Sequence, residues 1–186
     1  MKHRRIIIVC FGIVLCLGVF AFLTRDFWRD QFRAYFFGCV EVAARKYQRL
    51  PEDVDTVEVF TFGDGPNAFD TQGFLGDTPL TTLAHKTLTG KDAKEVVDLW
   101  GSFVIGPEFQ AMCFDPAYGL QFKRHGRILF QTAVCWECSG FTVPVPLFGT
   151  VQYGFDAKSK KAVELLQTLE RHLPLKANPQ AKGSPH

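Results

Sequence analysis

Residues Ile6 to Leu23, IIIVCFGIVLCLGVFAFL, run for 18 positions without a charge, and Lys2, Arg4 and Arg5 stand directly before them. At 1.5 Å per helical residue such a run spans about 27 Å, close to the hydrocarbon thickness of a bilayer. Basic residues ahead of an apolar run favour a cytoplasmic N-terminus with the remainder of the chain exported. The expectation is a basic cytoplasmic segment over residues 1–5, followed by a transmembrane signal anchor over 6–24. A cleaved signal peptide, which would leave a secreted protein, is the competing reading, because Val19-Phe20-Ala21 is a passable small-residue cleavage site. The run continues through Phe22 and Leu23 and exceeds the usual signal core, so the anchor is preferred. Cys16 is a poor acylation site, since the large Leu15 precedes it.

Export changes how the six cysteines are read. Cys10 and Cys16 fall inside the apolar run and act as small hydrophobes. Cys39, Cys113, Cys135 and Cys138 remain outside it, and four thiols in an oxidising compartment imply disulfides, with three complete pairings open. The rest of the composition bounds the partners. With 186 residues, a net charge of +2 and 47% hydrophobic residues, the chain suits one folded domain plus an appendage. Nucleic acid is not expected as a partner, because no excess of basic charge is present to meet phosphates.

Periodicity divides the remainder. Phe32, Tyr35, Phe36, Cys39, Val40, Ala43 and Tyr47 recur at three- and four-residue steps, which predicts a membrane-proximal helix over 25–50, closed by Pro51. Its start carries Phe27 and Trp28 beside Arg25 and Arg29, a pattern suited to a membrane interface. Val54 to Phe62 alternates and is rich in β-branched residues, so a half-buried strand is expected there. Gly63 to Asn67 breaks it, and a second strand is expected over Leu80 to Leu88. Ala93, Val96, Val97 and Trp100 mark one face of a helix that Thr89 or Asp92 would cap. Tyr118–Phe122 and Arg127–Val134 flank Lys123-Arg124-His125-Gly126 and read as a hairpin. Phe141 to Val145 meets Pro144 and Pro146 and is expected as an edge strand or strand end. Ala162, Leu165, Leu166 and Leu169 give a closing helix over Asp156 to His172, before a disordered tail over 175–186.

This order implies an α+β fold: the N-terminal transmembrane helix, then one small domain over 54–174. An antiparallel sheet with helices packed mainly on one face is the expected architecture.

Two stretches carry a resemblance. MCFDPAYGLQF, Met112 to Phe122, and VCWECSGF, Val134 to Phe141, resemble a family of uncharacterised bacterial extracytoplasmic proteins with an N-terminal signal or lipid anchor. The shared core is Cys113, Pro116 and Tyr118-Gly119, a short hairpin, then Cys135-Trp136-Glu137-Cys138. LTGKDAKEVVDLW and FDAKSKKAVELLQTLERHLP are similar to the helices on either side. The resemblance implies membership and a bacterial envelope location, with the C-terminal domain outside the inner membrane. It implies no reaction. Relatives often carry histidine after the first cysteine where this chain has Phe114, which removes a metal ligand from that position.

The cysteines admit three readings. Residues three apart in a regular strand point to opposite faces, so Cys135 and Cys138 converge only if the chain turns between them. The hairpin brings Cys113, just before it, to the end where Cys135 and Cys138 follow it. In the structural reading a disulfide joins Cys113 to Cys135 or Cys138, or joins that pair to each other, and a further thiol pairs with Cys39. In the redox reading Cys135 and Cys138 cycle between dithiol and disulfide, but Phe141 to Gly149 offers no helix whose N-terminus would lower a thiol pKa. In the metal reading Cys113, His125, Cys135 and Cys138 hold tetrahedral zinc, but His125 belongs at the hairpin tip and the cysteines at its base. The structural staple is preferred. Trp136, Glu137, Pro116 and Tyr118 are neighbours of this locus. Asp64, Asn67 and Asp70 lack calcium-loop spacing, and His85, Ser102 and Ser139 have no catalytic partner placed by the sequence. The expectation is a membrane-anchored extracytoplasmic binding or accessory protein, leaning away from an enzyme, without cofactor. Its partners would be the membrane and an envelope protein or ligand. The alternative is a thiol-disulfide oxidoreductase or metal-binding protein centred on Cys135 to Cys138.

Overall fold

In a computed structural model, residues 29–50, 53–63, 69–106 and 114–175 are described, without the side chains of 69–72 and 76–78. Helix α1 covers 29–48. After it come β1 (Thr56–Phe62), β2 (Phe69–Gly73), β3 (Gly76–Thr89), α2 (Gly90–Ser102) and β4 (Ile105–Gly106). The chain closes with β5 (Tyr118–Arg124), β6 (Arg127–Cys135), β7 (Gly140–Val145), β8 (Gly149–Phe155) and α3 (Lys160–His172). The described strands form one antiparallel sheet in the order β2-β3-β1-β5-β6-β7-β8-β4, and with the helices the fold is α+β. Among the described residues no helix is long and apolar enough to cross a membrane. The expected segments 1–5 and 6–24, Cys113 and the tail from residue 176 lie outside the described residues.

The chain divides into two compact units, Met1–Cys39 and Val40–His186. Of the first, residues 29–39 of α1 are described, and Phe32, Tyr35 and Phe37 there are exposed. In the second unit α1 turns small and apolar, and Val40, Ala43 and Ala44 are buried.

The sheet is built around β5, in which Tyr118 to Phe122 are all buried. Alternation would leave one side wet, so unbroken burial means cover on both faces. On one face the register aligns Thr61, Tyr118, Val134, Phe141 and Tyr153 across five strands. Trp100 of α2 sits on that face, with ring centroids 5.5 Å from Phe122, 5.7 Å from Phe130 and 5.4 Å from Phe141. Tyr47 of α1 stacks on Phe130 at 4.6 Å. Their polar ends also meet, because the Trp100 indole donates to the Tyr47 carbonyl at 2.9 Å.

The opposite face is closed by the turn between β2 and β3. Phe74, fully buried, packs there with Phe60 and Ala133, flanked by Phe62, Leu80 and Phe114. Gly119 has no side chain because none fits: a Cβ there would lie 2.5 Å from Phe62 and 2.9 Å from Phe74.

The Tyr118–Val134 hairpin forms as expected, with a two-residue turn. His125 and Gly126 have φ of 50° and 76°, and positive φ at both positions matches the twist of the flanking strands. Acidic residues of the preceding segment fasten this end: Lys123 pairs with Glu58 at 2.7 Å and Arg124 with Asp53 at 2.8 Å.

Three expectations are corrected. β2, β4 and β8 were not expected as strands. β7 lies between β6 and β8, so of the two readings offered for it the edge strand is set aside and the strand end holds, Pro144 being its penultimate residue. Its main-chain pairing with β6 covers only Val134↔Phe141 and Cys135↔Gly140, however, so Pro144 faces a paired strand on the β8 side alone. Beyond that point side chains replace the ladder: Thr132 Oγ1 donates to the Thr142 carbonyl at 2.9 Å, and Thr142 Oγ1 accepts from the Ala133 amide at 2.8 Å. Lastly, Thr89 occupies the N-cap of α2 without a side-chain capping bond. In α3 the cap is made by Ser159, whose hydroxyl accepts from the Ala162 amide.

Candidate functional site

β6 ends at Cys135 and β7 begins at Gly140, leaving Trp136 to Ser139 as a four-residue turn. Ser139, with φ of 53°, donates its amide to the Trp136 carbonyl at 3.2 Å and reverses the chain. That reversal supplies the convergence that a straight strand would forbid. The Cys138 amide donates to the Cys135 sulfur at 3.1 Å, and the two thiols also hydrogen-bond to each other.

Strand alternation sends the neighbours apart. Trp136 turns toward α3, where its indole donates to the Ala162 carbonyl at 3.2 Å. Its ring meets Tyr118 edge-on at 6.1 Å and Phe155 at 5.9 Å. Trp136 is therefore a packing element joining the turn to the helix. Glu137 is exposed and Cys138 half-buried, whereas Cys135 is buried.

The segment that follows Cys113 lies against the same turn. The Ala117 amide donates to the Val134 carbonyl at 3.0 Å, one step beyond the β5–β6 ladder. Pro116 is buried beside them, and Phe114 packs into the Phe60–Phe74–Ala133 cluster. Tyr118 belongs to the other face, where its hydroxyl donates to the Leu173 carbonyl at 2.8 Å.

The electrostatics are those of a buried, uncharged thiol. Burial first, and then the hydrogen bond with the Cys138 thiol, push the Cys135 thiol up to about 12. The amides of Cys138 and Asp115 pull the other way and are outweighed. A nucleophilic or metal-binding cysteine needs the opposite balance, because the thiolate is the reactive form.

The structure separates the other expected participants. His125 sits at the hairpin tip with its side chain in solvent, and its ring Nδ1 lies 3.2 Å from Asp55. Cys135 is at the opposite end of β6, about 25 Å away at the rise of a β-strand. His85 is exposed on β3 and lies beside the Phe60 ring at 5.9 Å. Cys39 belongs to the first unit, one helical turn from Tyr35, with which it hydrogen-bonds. Among the described residues no group of three or more His, Cys, Asp or Glu is placed to hold a metal ion.

One feature without a sequence signal is a cleft of about 860 Å³ between the end of α1 and α2, lined by Gln48, Arg49, Asp55, Lys94, Val97 and Asp98. Three separate chain segments form it, so no local motif announces it. Lys94 and Asp98 are already paired with each other at 3.0 Å, and Asp55 is engaged by His125 and Thr56. No family model, curated protein or solved structure matches the chain.

Proposed function

We propose that the chain is a membrane-anchored extracytoplasmic protein of the bacterial cell envelope, acting as a binding or accessory domain whose cysteine turn is a structural staple. Its N-terminal run serves as a single transmembrane helix, with the α+β domain outside the cytoplasm. The uncharged stretch from Ile6 to Leu23 behind three basic residues supports the anchoring. The observation that supports the staple is the turn that brings Cys138 back to Cys135, whose buried sulfur accepts the Cys138 amide at 3.1 Å.

The raised Cys135 thiol weighs against the oxidoreductase alternative, which calls for a lowered one. In the staple reading the cluster locks the base of the β5–β6 hairpin, and such a bridge contributes about 2–4 kcal/mol in exported domains. Disulfide mapping by mass spectrometry of protein purified from its own envelope is the test. At least one bridge among Cys39, Cys113, Cys135 and Cys138 is expected, and four reduced thiols would reject the staple. Stoichiometric zinc, or a disulfide potential well above that of structural bridges, would instead favour the chemical alternative.

A further inference from the structure

The described part of the first unit holds four aromatic residues within six positions, Phe32, Tyr35, Phe36 and Phe37. Three stay open: Phe32 is 60% exposed, Tyr35 62% and Phe37 57%. At 100° per residue Phe32, Tyr35, Phe36 and Cys39 share an arc of about 100°, with Arg29 and Arg33 along one border and Asp30 and Phe37 on the far side.

We propose that residues 29–39 lie along the headgroup zone of a lipid bilayer, with Phe32, Tyr35 and Phe36 turned into the membrane and Arg33 reaching its phosphates. This deepens the anchoring reading and rests on it. The occupant is a lipid surface for two reasons. The chain divides after Cys39, which places these rings in the unit that contains the apolar run. The run ends at Leu23, nine residues before Phe32. Standing upright from that boundary, a helix would carry Phe32 about 13 Å and Tyr35 about 18 Å above the hydrocarbon. The headgroup zone is only about 5–8 Å deep on each side, so an upright helix would leave both rings in water. Lying flat, it places the whole arc at the level that aromatic and arginine side chains occupy at membrane interfaces.

Photo-crosslinking tests this on the full chain in vesicles of phosphatidylethanolamine and phosphatidylglycerol. Benzoylphenylalanine replaces, one at a time, Leu15 in the run, Phe32, Tyr35, Phe37, and Leu147, which is 96% exposed in the second unit. Lipid adducts are expected from Leu15, Phe32 and Tyr35, with their loss at Phe37 and Leu147. Adducts from Phe32 and Tyr35 to a second copy of the chain, or none at all, while Leu15 labels lipid, overturn the flat seat and leave the anchor standing. Equal lipid labelling from Phe37 and Tyr35 overturns the assigned face. No lipid adduct from Leu15 overturns the anchor, and this inference with it.

Discussion

The hydroxyl of Tyr118 donates to the carbonyl of Leu173 at 2.8 Å, joining the first residue of β5 to the chain leaving α3 across 55 positions. The phenol is held in its protonated form: burial first, and then the charge of Glu170, raise its pKa. Replacing Tyr118 with Phe keeps the ring against Trp136 and deletes the bond. A loss of about 1–2 kcal/mol is expected, since the Leu173 carbonyl loses its partner. Urea unfolding of Y118F beside wild type measures it, with the same slope and a lower midpoint.

Gly119 is a close-packed point of the second core. A methyl there meets Phe62 at 2.5 Å and Phe74 at 2.9 Å, so Gly119→Ala should cost about 1–3 kcal/mol through overpacking. Combining it with Phe62→Leu, which withdraws the nearer ring, should recover part of the loss. A double-mutant cycle that comes out additive would show that the clash is absorbed elsewhere.

Trp100 joins α1, α2 and the sheet, through its rings and through the bond to Tyr47. Trp100→Ala should cost about 3–5 kcal/mol, and Trp100→Phe less. Thermal unfolding of both variants ranks them, and equal midpoints would contradict the central place given to this indole.

Alkaline pH should weaken the reduced protein through Cys135. Its folded pKa of about 12 lies above that of an unfolded thiol, about 8.5. The unfolded chain therefore gives up this proton first. The contribution is fully present below about pH 8.5 and disappears as pH rises toward 12. Tyr118, also raised, adds a loss of the same sign at higher pH. Reduced Cys135→Val should show a shallower decline of stability between pH 8.5 and 10 than the parent chain.

Asp55 accepts the His125 amide at 2.7 Å, and that bond first, then the Thr56 hydroxyl, hold its carboxyl below the usual aspartate range. Its contribution is present at neutral pH and is lost as pH falls through the lowered value. Asp55→Ala should free the hairpin tip, read as faster hydrogen exchange at the His125 amide while that of Tyr118 stays unchanged.

Much of the fold was legible where a local pattern carries it. The valines of β1, the Gly126 turn and the leucines of α3 each state their geometry within a few residues. β8 carries a comparable signal, with Val151, Tyr153 and Phe155 alternating with Thr150 and Gln152, but its glycines at 149 and 154 obscure the run. β2 carries none, since Asp70 and Gly73 are poor strand formers and its pairing with β3 is what makes it a strand. The prolines of β7 left an edge strand and a strand end open, and only its long-range pairing with β6 and β8 separates the two. At the candidate site the spacing of Cys135 and Cys138 and the turn between them were readable. The burial of Cys135 beside a half-buried Cys138 was not, since burial is a long-range outcome that spacing does not encode.

Phe74 and its hairpin roof one side of the sheet, while Trp100 and the helices roof the other. Among the described residues the middle of the sheet is closed on both faces, and the large exposed side chains include Leu147 in a turn and Val42 on a helix flank. Residues there can change without disturbing either core, so the scaffold should tolerate wide variation at its rim while its interior stays fixed.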